Sequence, residues 1–477
     1  MSIEIRTQNI IQYFRNIQLN SPTLEGQIRE MLEKGKVDEV IDMMSNRDTE
    51  VDKAIEEFYP EKHLVMHRPN KQRKDDEPYI TEKLPRNRQN YINEVELFFL
   101  LGSPIIWKKT DGEDEAFSLF NDFVKENRLH SLIRRAKRAA GAETESALIF
   151  HIYREGDKRN MLPFVACRRD GYRLRTLFDQ YGRLNALAYG YCLNVSGENQ
   201  QHWDILTADS ETFCVQTAKG WQCRTYPNPT GKINAIYFRQ DVAWQGTQER
   251  INREEMLDSK VGDTNNYFAD PIATATADVI MSMVDQNKPG KMIQLAGSDS
   301  KFEYVNPPQN SATRDAEKND LADSILFDSF TPDFSVEKMK GFGTLTGTAI
   351  KNSFILGYIK RARNEEIYGE MIDRLINVIK EILKFFHPEM TRAIDSLKID
   401  FEFAEPFADD RRSLWQAVAS LYQSGVASLE TAVTMLGLTD APEEEIDRIR
   451  MAAMEAEMAK NQQQEQEQSK ETEDGND

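Results

Sequence analysis

At 477 residues and a formal net charge of −19, the chain is too long for one compact core and too acidic for a monomer that grips DNA or acidic lipid by bulk electrostatics. Hydrophobic residues make up 40% and charged residues 29%, the balance of an ordinary soluble protein. No apolar run reaches the roughly 18 residues of a membrane span, and Met1-Ser-Ile-Glu-Ile-Arg6 lacks a signal-peptide core, so folding in a cytoplasm is expected.

Apolar residues at three- and four-residue steps (Ile10, Ile11, Phe14 and Ile17, then Ile28, Leu32, Val37, Val40 and Ile41) predict helices over residues 1–60. His63 and His67, four apart, could share a metal on a helix, but no third ligand is evident, and surface histidines are the simpler reading. Residues 71–85, charged and proline-containing, predict a loop or an extended arm. Asn87 to Leu101 regains helical spacing and stops at Gly102-Ser103-Pro104. One helix is predicted from Asp114 to Ala140, capped by Gly141, with Phe117, Phe120, Val124, Leu132, Ile133 and Ala136 inward. The basic run Arg134, Arg135, Lys137 and Arg138 then falls in its last turn, where cations offset the helix dipole; an acidic partner is the alternative.

The middle of the chain changes period. Ala147–Tyr153, Leu184–Leu193, Trp203–Leu206, Thr212–Gln216 and Trp221–Tyr226 read as strands, with hairpin turns at Asp209-Ser210 and Lys219-Gly220. One mainly antiparallel sheet between about 145 and 240 follows. Cys167, Cys192, Cys214 and Cys223 show no CxxC pair and no zinc spacing, so buried reduced thiols are expected and structural disulfides are not. Arg250 to Met283 is helical again, and beyond Asn287–Gly290 the runs Lys291–Leu295 and Phe302–Val305 form a small hairpin.

Leu321–Phe330 is a helix stopped by Thr331-Pro332-Asp333, because proline lacks an amide donor and pushes the residue before it out of the α region. A loop with Gly341, Gly343 and Gly347 follows. It lacks the Gly-Lys-Ser/Thr ending of a phosphate-binding loop, so its glycines read as hinges. From Thr348-Ala-Ile-Lys351 a long helix begins, with Tyr368, Met371, Ile372, Leu375, Ile376, Ile379, Leu383 and Phe386 on one stripe until His387-Pro388. Leu397–Phe403 alternates cleanly and is expected to join the earlier sheet. Its Asp400 and Glu402 are a wet face opposite a buried one, or, in a rival reading, the carboxylates of a metal-dependent DNA-processing enzyme. Residues 410–458 are helical. The Gln- and Glu-rich stretch Glu455–Asp477 starts as helix and ends as a disordered acidic tail, residues 461–477. No internal repeat is found.

Several of these patterns, in this order, resemble the portal proteins of tailed bacteriophages, siphophage type. Leu100-Leu-Gly-Ser-Pro-Ile105, the step Ala139–Tyr153, Ser329-Phe-Thr-Pro-Asp-Phe334 with Thr346-Gly-Thr-Ala-Ile-Lys351, Ile399-Asp-Phe-Glu-Phe403 with Pro406, and Leu414 through Gly425–Glu430 to Pro442–Glu445 carry the likeness. It departs at Ile233–Phe238, where the family has an Ile-Pro-Val step, and at Thr346, where it has serine. The resemblance implies an α+β, mainly helical portal fold with an antiparallel wing sheet, two stem helices, a small clip, a tunnel loop, a long helix and a helical C-terminal crown. Residues 1–250 would be wing, 251–285 and 308–330 the stem helices, 286–307 the clip and 331–345 the tunnel loop. Residues 346–405 would be the long helix and returning wing strand, and 406–460 the crown.

The resemblance further implies a non-enzymatic ring, typically of twelve copies, at one capsid vertex of the virion. It would be assembled in the host cytoplasm and would pass double-stranded DNA inward during packaging and outward at ejection. Its partners would be itself, the DNA, the terminase large subunit, the major capsid and scaffolding proteins and the head–tail connectors, with no membrane, cofactor, metal or catalytic residue. A conduit must not hold its cargo, since each neutralised phosphate raises affinity. Lys338, Lys340, Gly341 and Gly343 are the expected DNA-facing loop residues, with solvated loop lysines as the alternative. Lys351, Lys360, Arg361 and Arg363 would face the channel or a neighbouring subunit, the last three reading best as a subunit–subunit salt bridge. Lys288, Lys291 and Lys301 would serve terminase docking on the clip. Another head–tail adaptor is the remaining alternative, against which the chain length counts.

Overall fold

The computed structural model describes residues 24–70, 80–156, 158–195, 197–269, 273–275, 302–304, 311–340, 351–407, 411–437 and 443–454. The chain divides into two compact units, Met1–Lys338 with Phe354–Pro406 and Met339–Ser353 with Phe407–Asp477. The fold is α+β with antiparallel sheets, as the alternation of periods predicts.

The first unit is layered. Strands β2 (Glu145–Glu155), β3 (Lys158–Ala166) and β9 (Ala235–Arg239) form a three-stranded sheet in the order β3-β2-β9. Strands β4 (Arg173–Phe178), β5 (Leu184–Val195), β6 (Glu198–Thr207), β7 (Ser210–Thr217) and β8 (Gly220–Pro227) form a five-stranded meander. The strand period of two sends alternate residues to opposite layers. In the smaller sheet Leu148, Phe150, Val165, Ile236 and Phe238 face helices, while Ala147, Ile149, Ala166 and Tyr237 face Leu187, Tyr189 and Leu206 of the larger sheet. The opposite face of the larger sheet, with Ala186, Ala188, Trp203 and Ile205, is closed by helices α1 (Leu24–Glu33) and α2 (Val37–Met43) through Ile28, Leu32, Val37 and Val40.

The helical side of the smaller sheet holds the largest core. It gathers α4 (Arg88–Leu101), α5 (Asp114–Glu126), α6 (Leu129–Glu143) and the long helix Ile355–Phe386, whose predicted stripe is buried at Tyr368, Ile372, Leu375, Ile376, Ile379 and Leu383. A separate cluster joins Phe58 of α3 (Asp48–Phe58) to Ile92, Trp244, Ile251 and Ile325.

Of the loop or extended arm expected over 71–85, residues 71–79 lie outside the described residues, and residues 80–87 are extended. They run antiparallel along α7 (Gln248–Ala269), and the N–H groups of Glu82, Leu84 and Arg86 donate in turn to Asp263 (2.7 Å), Ser259 (2.9 Å) and Glu255 (2.8 Å). Two residues of extended chain advance about 6.6 Å and one helical turn 5.4 Å, so every second arm amide meets a side chain one turn further back. Arg68, Arg86 and Arg88 complete the seam on Asp263, Asp258 and Glu254 at 2.6–2.7 Å.

Several expectations are corrected. The helix expected over Asp114–Ala140 is two, broken at Asn127 and Arg128, the latter at φ 49°. Gly141 is not a cap but lies inside α6, where a Cβ would collide with the Asn93 amide. The basic run is therefore mid-helix: Lys137 is buried on Glu96, Arg138 pairs with Glu94 at 2.5 Å and Arg135 with Asp170 at 2.7 Å. Residues 145–240 form two sheets instead of one, and the strand β12 (Lys398–Glu402) joins neither; it pairs with β1 (Ile106–Asp111), which the sequence reading missed.

The helix expected to Met283 ends at Ala269, and Ala273–Ala275 is a strand paired with Phe302–Tyr304; residues 291–295, the other strand of the hairpin expected there, lie outside the described residues. His63 is not at the surface: it is 2% exposed with its Nδ1 2.6 Å from Glu255. Cys214 and Cys223, opposite each other on β7 and β8, form a disulfide, and Cys192 is exposed; only Cys167 is a buried free thiol.

The second unit contains α11 (Arg411–Gln423), α12 (Leu429–Leu436) and a helix over 443–454. Ser428 caps α12 by accepting the Thr431 N–H at 3.2 Å, and Gly437 ends it at φ 56°. Helices therefore dominate this stretch, as expected for 410–458. The acidic tail and residues 1–23 lie outside the described residues.

Candidate functional site

The helix Ser311–Asp328 ends in a left-handed residue that is not glycine. Phe330 sits at φ 51°, and the Thr331 and Phe330 N–H groups return to the Leu326 and Phe327 carbonyls at 2.8 and 3.0 Å. This is the hydrogen-bond pattern of a Schellman cap, held by a residue that disfavours it by about 1–2 kcal/mol. The Arg363 guanidinium lies 5.6 Å over the Phe330 ring and holds it there.

The chain then meets α4. The Tyr91 hydroxyl donates to the Pro332 carbonyl and accepts the Phe334 N–H, each at 2.8 Å. Phe334 packs on Phe98 and Phe99 and, at 4.8 Å between centroids, on Phe354. Tyr358 closes on Phe99 edge-on at 5.6 Å, and a Cβ at Gly357 would collide with the Phe99 ring, so only glycine lets the long helix come this close. Residues 334 and 354 thus share one aromatic clamp, and the segment between them leaves and returns at the same place.

Below the clamp, α4 is fixed by a buried polar centre. Glu96 receives Lys137 and, at 3.0 Å, Lys360; Gln240 accepts from Lys137 and from the Tyr368 hydroxyl, both at 2.6 Å. Burial alone would raise the Glu96 carboxyl, but the two ammonium groups outweigh it and hold it down at about 2. Burial pulls both lysines below their ordinary range. Four elements converge on this one carboxylate, and removing it would leave two buried cations without a counter-charge.

A family model matches the chain over residues 39–462: phage portal protein, SPP1 Gp6-like. The chain belongs to the phage portal family. In this portal-family chain, Lys338 and Lys340 are exposed and, among the described residues, without a partner, at the one-turn helix Val336–Met339 and just after it. Gly341 and Gly343, and Lys288, Lys291 and Lys301 that were expected on a clip, lie outside the described residues. Lys351 is half-buried in the helical turn 351–353.

The structure corrects the reading of Lys360 and Arg361. Lys360 donates to the Ala243 carbonyl at 2.7 Å beside Glu96, and Arg361 is 7% exposed on Glu365 and the Phe403 carbonyl, so both charges are matched inside their own chain. Arg363 stays exposed over Phe330. Asp400 and Glu402 stand on the wet face of β12, and Glu402 pairs with Lys108. Among the described residues no group of three His, Cys, Asp or Glu is placed to hold a metal, and no helix is long and apolar enough to cross a membrane. The clamp was missed in the sequence, although Phe98-Phe99, Phe334 and Phe354 were its visible signal.

No curated protein matches the chain. Among solved structures, the neck of a native GTA particle computed with C12 symmetry is 10% identical over 74% of this chain and 91% of that chain, with a TM-score of 0.39. The neck of an empty GTA particle computed with C6 symmetry is 11% identical over 79% and 98%, with a TM-score of 0.43. The virion of a native gene transfer agent particle gives 12% identity over 74% and 94%, at 0.39. At TM-scores below 0.5 these likenesses carry no conclusion.

Proposed function

We propose that copies of this chain close into a ring, of about twelve by the family pattern, at one vertex of a capsid and form the channel through which double-stranded DNA enters and leaves. The protein is a non-enzymatic conduit that also docks the terminase large subunit, the head–tail connectors and the capsid and scaffolding proteins. Membership in the portal family over residues 39–462 is the observation that carries this reading. Gln248–Ala269 and Ser311–Asp328 are then the stem helices, the stretch between them the clip, the preceding helices and sheets the wing, and the helices after Phe407 the crown.

The segment between Phe334 and Phe354 is the tunnel loop, with Lys338 and Lys340 as its DNA-facing charges. An acidic protein with few free cations on such a loop fits a passage that must release what it carries, because bound phosphates tighten with each matched charge. Screening over about 8 Å at physiological salt leaves distant wall charges with little influence. Against the rival enzyme reading, Glu402 is engaged by Lys108.

The double variant Lys338→Ala with Lys340→Ala tests the loop assignment. Rings of normal size are expected to form, and DNA packaging or retention in particles is expected to fall. Full packaging by this variant would remove both lysines from the mechanism.

A further inference from the structure

A cavity of about 670 Å³ lies between the long helix and the rim of the two sheets in the first unit. Its charged lining is one-sided: Arg183, Lys232, Arg239 and Arg374 against the single carboxylate of Glu370, in a chain whose net charge is −19. Lys232 has Glu381 at 3.7 Å. Arg183, Arg239 and Arg374 have no side-chain partner among the described residues, and the Nε of Arg374 is buried with no hydrogen bond at all. Burial pulls the Arg374 guanidinium below its ordinary pKa, the mark of a cation in a poor environment.

A partly buried guanidinium without a counter-charge is costly, and an anionic ligand would supply the missing partner. Duplex DNA presents its phosphates on a convex surface, one charge per about 1.7 Å, which protruding cations meet best. Here the cations are set around a recess floored by Leu184, Ile233 and Val378. A recess of this size, part apolar and ringed by arginine, suits side chains that end in carboxylates. Copies each carrying −19 repel one another, and a ring built of them needs acid set against base at its contacts.

We propose that this arginine-lined cavity receives a carboxylate-bearing segment of a second copy of the chain and is one half of the head-to-tail contact that closes the ring. The proposal rests on the ring reading above. Arg183 and Arg239 are exposed, so reversing their charge leaves the core packing alone.

Arg183→Glu with Arg239→Glu is compared with the unaltered protein by native mass spectrometry over a concentration series, with thermal melting as the check on folding and duplex binding by fluorescence anisotropy alongside. The unaltered protein is expected to form rings, and the variant to need at least tenfold more protein for half-assembly at an unchanged melting temperature. Arg374→Gln, which keeps a long polar side chain and removes the charge, is expected to shift assembly the same way. If the unaltered protein forms rings and both variants assemble as well as it does, the inference is overturned and the ring reading stands. A variant that keeps its rings and loses duplex affinity overturns it too, in favour of phosphate. An unaltered protein that never leaves the monomer overturns the ring reading itself.

Discussion

Asp204 projects from β6 into the space between the two sheets, where it is 5% exposed and accepts the Tyr191 hydroxyl at 3.2 Å. Burial pushes its carboxyl up to about 6, against the pull of the Tyr189 and Tyr191 hydroxyls, and nearby Glu211 adds to the rise. The folded state therefore holds a proton that the unfolded chain releases near 3.8, and this group's contribution weakens as pH climbs from about 4 to 6. The full difference is roughly 3 kcal/mol. Asp204→Asn keeps an acceptor for Tyr191 and removes the charge, so it is expected to raise stability at pH 8 by about 1–2 kcal/mol, with the new amide N–H groups offsetting part of the gain. The gap between variant and parent, measured by denaturant melts, is expected to shrink toward pH 5. A variant no more stable at pH 8 would contradict the burial argument. Such pairings are hard to see in a sequence, because a charged residue looks the same whether it is solvated or matched at a distance. His63 and Glu255 are 192 positions apart, Lys360 meets the Ala243 carbonyl 117 positions away and Arg361 the Phe403 carbonyl 42 away, which is why all three were misread. The cysteine pair was missed: the hairpin turn lies at Ala218-Lys219, one residue before the expected Lys219-Gly220, and that register sets Cys214 opposite Cys223.

Among elements, the arm along α7 illustrates how a stretch without regular structure is held by a regular one. The Glu82, Leu84 and Arg86 amides each go to a single side chain of the helix, so each anchor can be released separately. Asp263→Ala removes the acceptor of the Glu82 N–H and the partner of Arg68. Hydrogen bonds to charged groups are worth about 1.5–3 kcal/mol, so exchange of the Glu82 amide is expected to speed roughly 10- to 100-fold, while the Arg86 amide on Glu255 stays protected. Unchanged exchange at Glu82 would mean that Asp263 is not its anchor. The long periodic helix Ile355–Phe386 was read well from sequence; the weak strands were not. β3 carries Pro163 and sits at a sheet edge, where proline is tolerated, and β4, the edge of the larger sheet, begins with alternating arginines that mask its apolar face. The break between α5 and α6 falls at Asn127, a residue suited to a helix end, inside an otherwise unbroken apolar pattern. β12 is exposed on alternate residues but β1 on all except Trp107, and they pair only with each other, so nothing local announced their partnership.

For the whole molecule, sequence order did what no single motif could. Short patterns built from common residues pointed to the portal family because they recur in one succession, and the family match over residues 39–462 spans that succession. The clamp brings Phe334 and Phe354 together, with Phe334 packed on Phe98 and Phe99 of α4, so the chain departs and returns at one place. All of it depends on self-association about an axis. Electron microscopy of the purified protein in negative stain tests this most directly. Closed rings of uniform size, with a central opening wide enough for a DNA duplex, are the expected result; a uniform population of single copies at high concentration and across salt conditions would contradict the account.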